Sequence, residues 1–177
     1  MATDNDDGVS RHVLSRKTPR ACFHNYCGGE YFVTICTKGM MNYFGDIADG
    51  RMSFSEIGSF ADKEMQHISI HHVYADVMTH VVMPNHIHAI IHIHLDEYAA
   101  EHVPISRNAL GTVIGSYKQA VTCFARRNNI DFAWQTRYHD HIIRGARDGN
   151  NIAEYIANNV ARWDEDRFFR RSWGDKK

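Results

Sequence analysis

From His86 to His94 the chain reads His-Ile-His-Ala-Ile-Ile-His-Ile-His. Histidines at 86, 88, 92 and 94 share one parity, and Ile87, Ala89, Ile91 and Ile93 share the other. Only an extended strand sends alternate side chains to opposite faces. The run therefore predicts a β-strand with one apolar face and one face carrying imidazoles. His86 and His88 then project together, close enough to share one cation. Pro84-Asn85 predicts a turn before this strand. Val73–Met83, rich in β-branched residues, predicts another strand before that turn. Whatever else forms, the chain must build a sheet around this pair.

The other elements follow from the same kind of pattern. Glu30–Lys38 is β-branched and aromatic and predicts a strand. Met41–Phe44 and Arg51–Phe54, on either side of the loop Gly45–Gly50, predict a hairpin. Ser55 is placed to cap a helix over Glu56–Ile68, whose apolar stripe includes Ile57, Phe60, Ala61, Met65 and Ile68. A second helix is expected from Arg107 to Asn128, with Leu110, Val113, Ile114, Tyr117, Val121 and Phe124 at helical spacing. A strand near Tyr138–Ile143 and a last helix from Asp148 to Asn159 complete the chain. The order predicts an α+β fold: a ferredoxin-like βαββαβ antiparallel sheet, helices on one face, and an added C-terminal helix. Residues 1–29 are expected to form an N-terminal arm, and residues 30–177 a single domain.

Composition narrows the class. Apolar residues make up 44% of 177 and charged residues 23%, which suits a globular core rather than a disordered chain. No apolar run reaches the roughly 18 residues of a membrane span, so no membrane partner is expected. The polar start Met1–Asp7 does not resemble a secretory signal, and four cysteines are then expected as reduced thiols in a cytoplasmic protein. The net charge of -1 conceals a split. Residues 21–106 carry three basic and ten acidic groups, whereas residues 107–177 carry thirteen and eight. A basic C-terminal half suits phosphate binding.

On the last helix, Tyr155 and Asn159 stand four residues apart, one above the other on the same face. A phenol and a carboxamide beside the apolar positions Ile152 and Ile156 call for polar partners. Together with Tyr31-Phe32-Val33-Thr34-Ile35-Cys36-Thr37, Val81-Val82-Met83-Pro84-Asn85-His86-Ile87-His88 and Trp134–Arg144 (WQTRYHDHIIR), these residues form four ordered blocks. In order and spacing, from about residue 16 to residue 163, the chain resembles the single-tyrosine HUH transposases. Its closer likeness is to the REP-associated tyrosine transposase branch.

The resemblance implies roles. His86 and His88 match the paired metal ligands. Tyr155 matches the nucleophile, and Asn159 the polar residue completing the metal site. Magnesium or manganese would be the cofactor, and single-stranded DNA beside a hairpin the partner. The activity implied is cleavage and rejoining of DNA strands in transposition through a 5′-phosphotyrosine, with the protein a monomer or homodimer. His141 falls in a family motif, where it either orders its strand or approaches DNA. Where relatives follow the Asn with Pro, this chain has Val160. Tyr117 is a second candidate nucleophile, but only Tyr155 has the Asn partner in register. Arg126, Arg127, Arg137, Arg144, Arg147 and Arg162 are candidate phosphate contacts, and Arg11, Arg16, Lys17 and Arg20 of the arm are placed to reach a hairpin.

Two other readings compete. A hairpin-binding protein without cleavage would keep the same basic groups. A histidine-triad-like nucleotide hydrolase needs His-apolar-His-apolar-His, and Ile90 stands where its third His belongs. Cys22, His24 and Cys27 lie close together like part of a zinc site but lack an evident fourth ligand. Cys36 and Cys123 are expected in the core.

Overall fold

The computed structural model describes residues 28–94, 108–166, 168 and 169. The predicted arm, apart from Gly28 and Gly29, and the Cys22, His24 and Cys27 group lie outside these residues. The elements are β1 (Gly29–Cys36), a 3-10 turn (Lys38–Met40), β2 (Gly45–Ala48), β3 (Arg51–Phe54), α1 (Glu56–Gln66) and α2 (Ile68–His71). They continue with β4 (Ala75–Val82), β5 (His86–Ile93), α3 (Ala109–Arg127), β6 (His139–Ile142), α4 (Ala146–Asn158) and a second 3-10 turn (Trp163–Glu165). This is an α+β fold. Four strands make one antiparallel sheet in the order β4-β5-β1-β6, and β2 with β3 make a separate two-stranded sheet.

The alternation in β5 sets the layers. Ile87, Ala89, Ile91 and Ile93, with Tyr31, Val33 and Ile35 of β1, face α1 and α3 and are fully buried against them. Ile57, Ala61 and Met65 come from α1, and Leu110, Val113, Ile114 and Val121 from α3. The opposite face carries Phe32, Thr34, His86, His88 and Ile90. There α4 lays Ile152 and Ile156 over Ile90 and Phe32. β5 is thus covered on both faces over its first residues, so His86 and His88 are buried rather than solvated. Among the described residues no helix is long and apolar enough to cross a membrane.

The hairpin differs from the sequence reading. Its first strand is Gly45–Ala48, within the stretch read as loop, and Ala48 pairs with Arg51. Asp49 and Gly50 both have positive φ (53° and 68°), which is the two-residue turn that an Asp-Gly pair favours. The helix expected over Glu56–Ile68 ends at Gln66, and a separate turn of helix follows.

Ser55 caps α1 as expected: its Oγ accepts from Gly58 N at 3.1 Å. Gly58 is also the point where helix and hairpin touch. A Cβ there would lie 1.9 Å from the Phe44 carbonyl oxygen, which accepts from Ser55 N at 2.9 Å. Gly58→Ala is therefore expected to destabilise the protein. Ala gains about 1 kcal/mol of helix propensity, but displacing this backbone contact costs about 1–3 kcal/mol in overpacking and breaks the cap geometry. A lowered urea midpoint is the measurement.

Candidate active site

The site begins with the turn before β5. Asn85 is fully buried, and its Nδ2 donates to the carbonyl oxygens of Phe168 (2.9 Å) and Met40 (3.4 Å). That orientation leaves Oδ1 facing His86 Nδ1 at 2.8 Å. An amide oxygen only accepts, so His86 carries its proton on Nδ1 and presents an unprotonated Nε2. Across the sheet Thr34 pairs in register with His88, and its Oγ1 lies 2.9 Å from His88 Nδ1. Both rings are therefore held at Nδ1, and their Nε2 atoms meet 3.0 Å apart. Imidazoles fixed in this way are pre-oriented for a shared proton or a shared cation.

A third donor arrives from a residue the sequence reading missed. Asp166 follows the second 3-10 turn, and its carboxylate lies with both histidine nitrogens in a group whose ligand atoms are all within 4.8 Å of one another. Phe168 N donates to its Oδ1 at 2.7 Å, which fixes the carboxylate. The Tyr155 hydroxyl donates to its Oδ2 at 3.3 Å and lies 3.2 Å from His88 Nε2. Tyr155 itself is 42% exposed. Its ring meets Phe32 edge-on at 6.2 Å, and Phe32 stacks on His88 at 5.1 Å. The hydroxyl therefore stands at the atoms that could hold a metal, on a residue that is partly open to solvent.

Asn159, one turn beyond Tyr155, is 3% exposed, and its Oδ1 is buried with no hydrogen-bond partner among the described residues. A buried amide oxygen without a donor costs roughly 1–3 kcal/mol unless something fills its lone pairs. Two imidazole nitrogens and a carboxylate make a donor set that fits a divalent cation of intermediate to hard character.

The remaining candidates separate. Tyr117 is buried on the opposite face of the sheet, in the core formed by α1 and α3, and donates to Ala61 O at 2.9 Å. Burial pushes its hydroxyl well above the usual phenol range, with Asp62 and Glu64 adding to the shift. A phenol that is harder to ionise and out of reach is no nucleophile, so Tyr117 is removed as a candidate. Tyr117→Phe is expected to cost about 1 kcal/mol of stability by loss of one hydrogen bond. It should leave any nuclease activity unchanged, as parallel denaturation and cleavage assays can check.

His141 Nε2 lies 2.9 Å from Asp148 Oδ2, which also accepts from Arg144 N at 3.0 Å. These bonds, the Arg144 amide first, hold the Asp148 carboxyl below its ordinary range. His141 thereby ties β6 to the start of α4. All six candidate arginines are exposed. Arg162 lines a cavity beside Tyr155, and Arg144 and Arg147 flank the start of α4. Arg126 and Arg127 end α3, which packs on the other face, and Arg137 precedes β6. His92 and His94 lie by Glu30 (3.6 Å) and Asp76 (3.1 Å), away from the cluster.

The fold resembles that of a REP-associated tyrosine transposase solved bound to a REP hairpin. The TM-score is 0.59, with 14% identity, over 82% of this chain and 74% of that one. At that identity the likeness concerns the fold. No family model matches the chain. An uncharacterized protein of Haemophilus influenzae (strain ATCC 51907 / DSM 11121 / KW20 / Rd) is 30% identical over 170 residues, spanning 89% of this chain and 94% of the relative. The chain belongs to the same family as that protein.

Proposed function

We propose that this protein is a metal-dependent, single-tyrosine HUH transposase that cleaves and rejoins single-stranded DNA beside hairpins, acting in the cytoplasm. The observation that carries the reading is the Tyr155 hydroxyl standing 3.2 Å from His88 Nε2, at a cluster of His86, His88 and Asp166. The sheet supports it. With the β2–β3 hairpin and α2 set aside, the elements run β1-α1-β4-β5-α3-β6 with β1 and β5 central, which we read as the ferredoxin-like βαββαβ order. In that reading residues 30–177 are the catalytic domain, residues 1–29 its arm, and α4 the helix bearing the nucleophile.

In this reading His86 and His88 offer Nε2 to a magnesium or manganese ion, with Asp166 and Asn159 as oxygen donors. Such an ion, when bound, neutralises charge on a nonbridging phosphate oxygen. An unperturbed tyrosine hydroxyl is a weak nucleophile near pH 7. Phe32 and His88 pack against the ring, so the chain supplies orientation to Tyr155. The hydroxyl loses its proton and its oxygen bonds to phosphorus. The bond to the 3′ oxygen breaks, and that oxygen takes up a proton. The 5′-phosphotyrosine stores the bond energy for a later attack by a 3′-hydroxyl. A splayed single strand is needed, since a duplex does not open its backbone to this approach. The exposed arginines, among them Arg162 at the cavity that Tyr155 also lines, would hold phosphates.

The test is covalent trapping. Labelled hairpin oligonucleotides with single-stranded flanks, taken from DNA around the gene, are mixed with protein and magnesium or manganese and run on a denaturing gel. A metal-dependent shifted band is expected. Tight hairpin binding with no band for any flanking hairpin would favour a binding protein without cleavage.

A further inference from the structure

We infer that a single strand held at the histidine pair runs outward over β1 to the edge strand β6, where His139 and Arg137 hold phosphates next to the scissile one. The identity of the ligand as DNA rests on the reading above. Directly opposed residues of an antiparallel pair share a face of the sheet. His88 of β5 opposes Thr34 of β1, and Thr34 opposes His139 of β6. His139 is therefore on the same face as the histidine pair. Neighbouring strands lie about 4.8 Å apart, so it stands roughly 10 Å from His88 along this row. β6 ends the four-stranded sheet, and His139 is exposed, whereas His88 and Thr34 are buried. The row thus leads from the atoms that could hold a metal to the open edge of the sheet.

Charge favours this path over the other approach. The cavity beside Tyr155 sets Glu154, Glu165 and Asp166 against the single guanidinium of Arg162. A run of phosphates entering there meets net repulsion. The β6 edge has the opposite balance. Arg137 stands two residues before His139, Arg144 two residues after the strand ends, and Arg147 in the first turn of α4, and all three are exposed. The acidic groups of this edge are turned to other work. Asp148 accepts from Arg144 N and lies 2.9 Å from His141 Nε2, while Asp140 opposes Val33 on the core-facing side of the sheet. Phosphate oxygens only accept, which suits the guanidinium of Arg137 and the ring N–H of His139. His139 is thus a binding residue that sets the direction in which the strand leaves the site, and takes no part in the bond changes.

A fluorescent oligothymidylate, titrated with the full-length protein at several salt concentrations and followed by anisotropy, tests this without requiring cleavage. The probe has a phosphate backbone and no hairpin, so it reports the single-strand path alone. His139→Ala is expected to lower affinity about threefold or more, the effect of one net hydrogen bond. His139→Gln keeps an N–H donor and should restore most of that loss. Arg137→Ala is expected to lower affinity by a similar factor and to reduce the slope of log affinity against log salt by about 0.7, the value of one single-strand phosphate contact. Arg51→Ala removes the same charge from the exposed turn of the β2–β3 hairpin and should change neither quantity. All of these side chains are exposed, so the core stays intact. A loss in Arg51→Ala equal to that in Arg137→Ala, or unchanged binding in both His139→Ala and Arg137→Ala, overturns the path while the DNA reading stands. A wild type that binds neither this probe nor any hairpin oligonucleotide removes the DNA reading, and the path with it.

Discussion

Tyr155→Phe is expected to abolish the covalent protein–DNA adduct while hairpin binding stays within about twofold. Removing the nucleophile of a catalytic unit typically costs several orders of magnitude in rate, on the order of 10³ or more, so no shifted band should survive on a denaturing gel. The substitution deletes one oxygen and keeps the ring. Its edge-on contact with Phe32 at 6.2 Å and its packing beside His88 at 5.3 Å persist. The lost bonds are the 3.3 Å contact to Asp166 and the 3.2 Å contact to His88, on a side chain that is 42% exposed. Stability should therefore change by no more than about 1 kcal/mol, which a melting curve can check. A band of wild-type intensity in this variant would remove Tyr155 as the nucleophile. Tyr117, sealed in the core, would not be its replacement.

The parts of this site that could be read from sequence are those set by local periodicity. Alternation in β5 put His86 and His88 on one face. Four-residue spacing on α4 put Tyr155 and Asn159 together, and both relations need nothing beyond strand and helix geometry. Tyr117 could have been judged from the same rule. It shares the stripe of Leu110, Val113, Ile114 and Val121, and a stripe of that kind packs into a core. The turn at Asp49-Gly50 was also legible, as a pair suited to positive φ, but the preceding strand Gly45–Ala48 has too few β-branched residues to announce itself. Asp166 was not legible. Its place depends on how the chain turns after α4 and returns over β5, where Phe168 meets His86 at a ring separation of 4.7 Å and Asn85 holds the Phe168 carbonyl. Those are tertiary contacts between residues some eighty positions apart, and Asp164-Glu165-Asp166 reads in isolation as a solvated acidic turn. Thr34 lies within the first strand's sequence block, yet its bond to His88 follows only from the β1–β5 register.

Adding manganese at about a hundred times its dissociation constant should raise the melting temperature of the wild type and leave His86→Ala and His88→Ala almost unmoved. A ligand that binds only the folded state at that excess adds about 2.7 kcal/mol. For a chain of this size each kcal/mol is worth roughly 2–4 °C, so a shift of roughly 5–11 °C is expected. The two histidines are suited to such a test because their Nδ1 atoms are already committed, His86 to Asn85 and His88 to Thr34. Each variant removes one Nε2 without disturbing the partner that orients the other. Both side chains are buried, so each alanine also leaves a cavity and lowers the metal-free melting temperature. The comparison is therefore the difference between melts with and without metal, not the absolute value. A metal shift kept in both variants would place the cation elsewhere and break the link between the histidine pair and Tyr155. A shift lost in both but kept in Tyr155→Phe would separate metal binding from the nucleophile. The geometry implies that separation, since the hydroxyl stands next to the ligand atoms and is not needed to hold them.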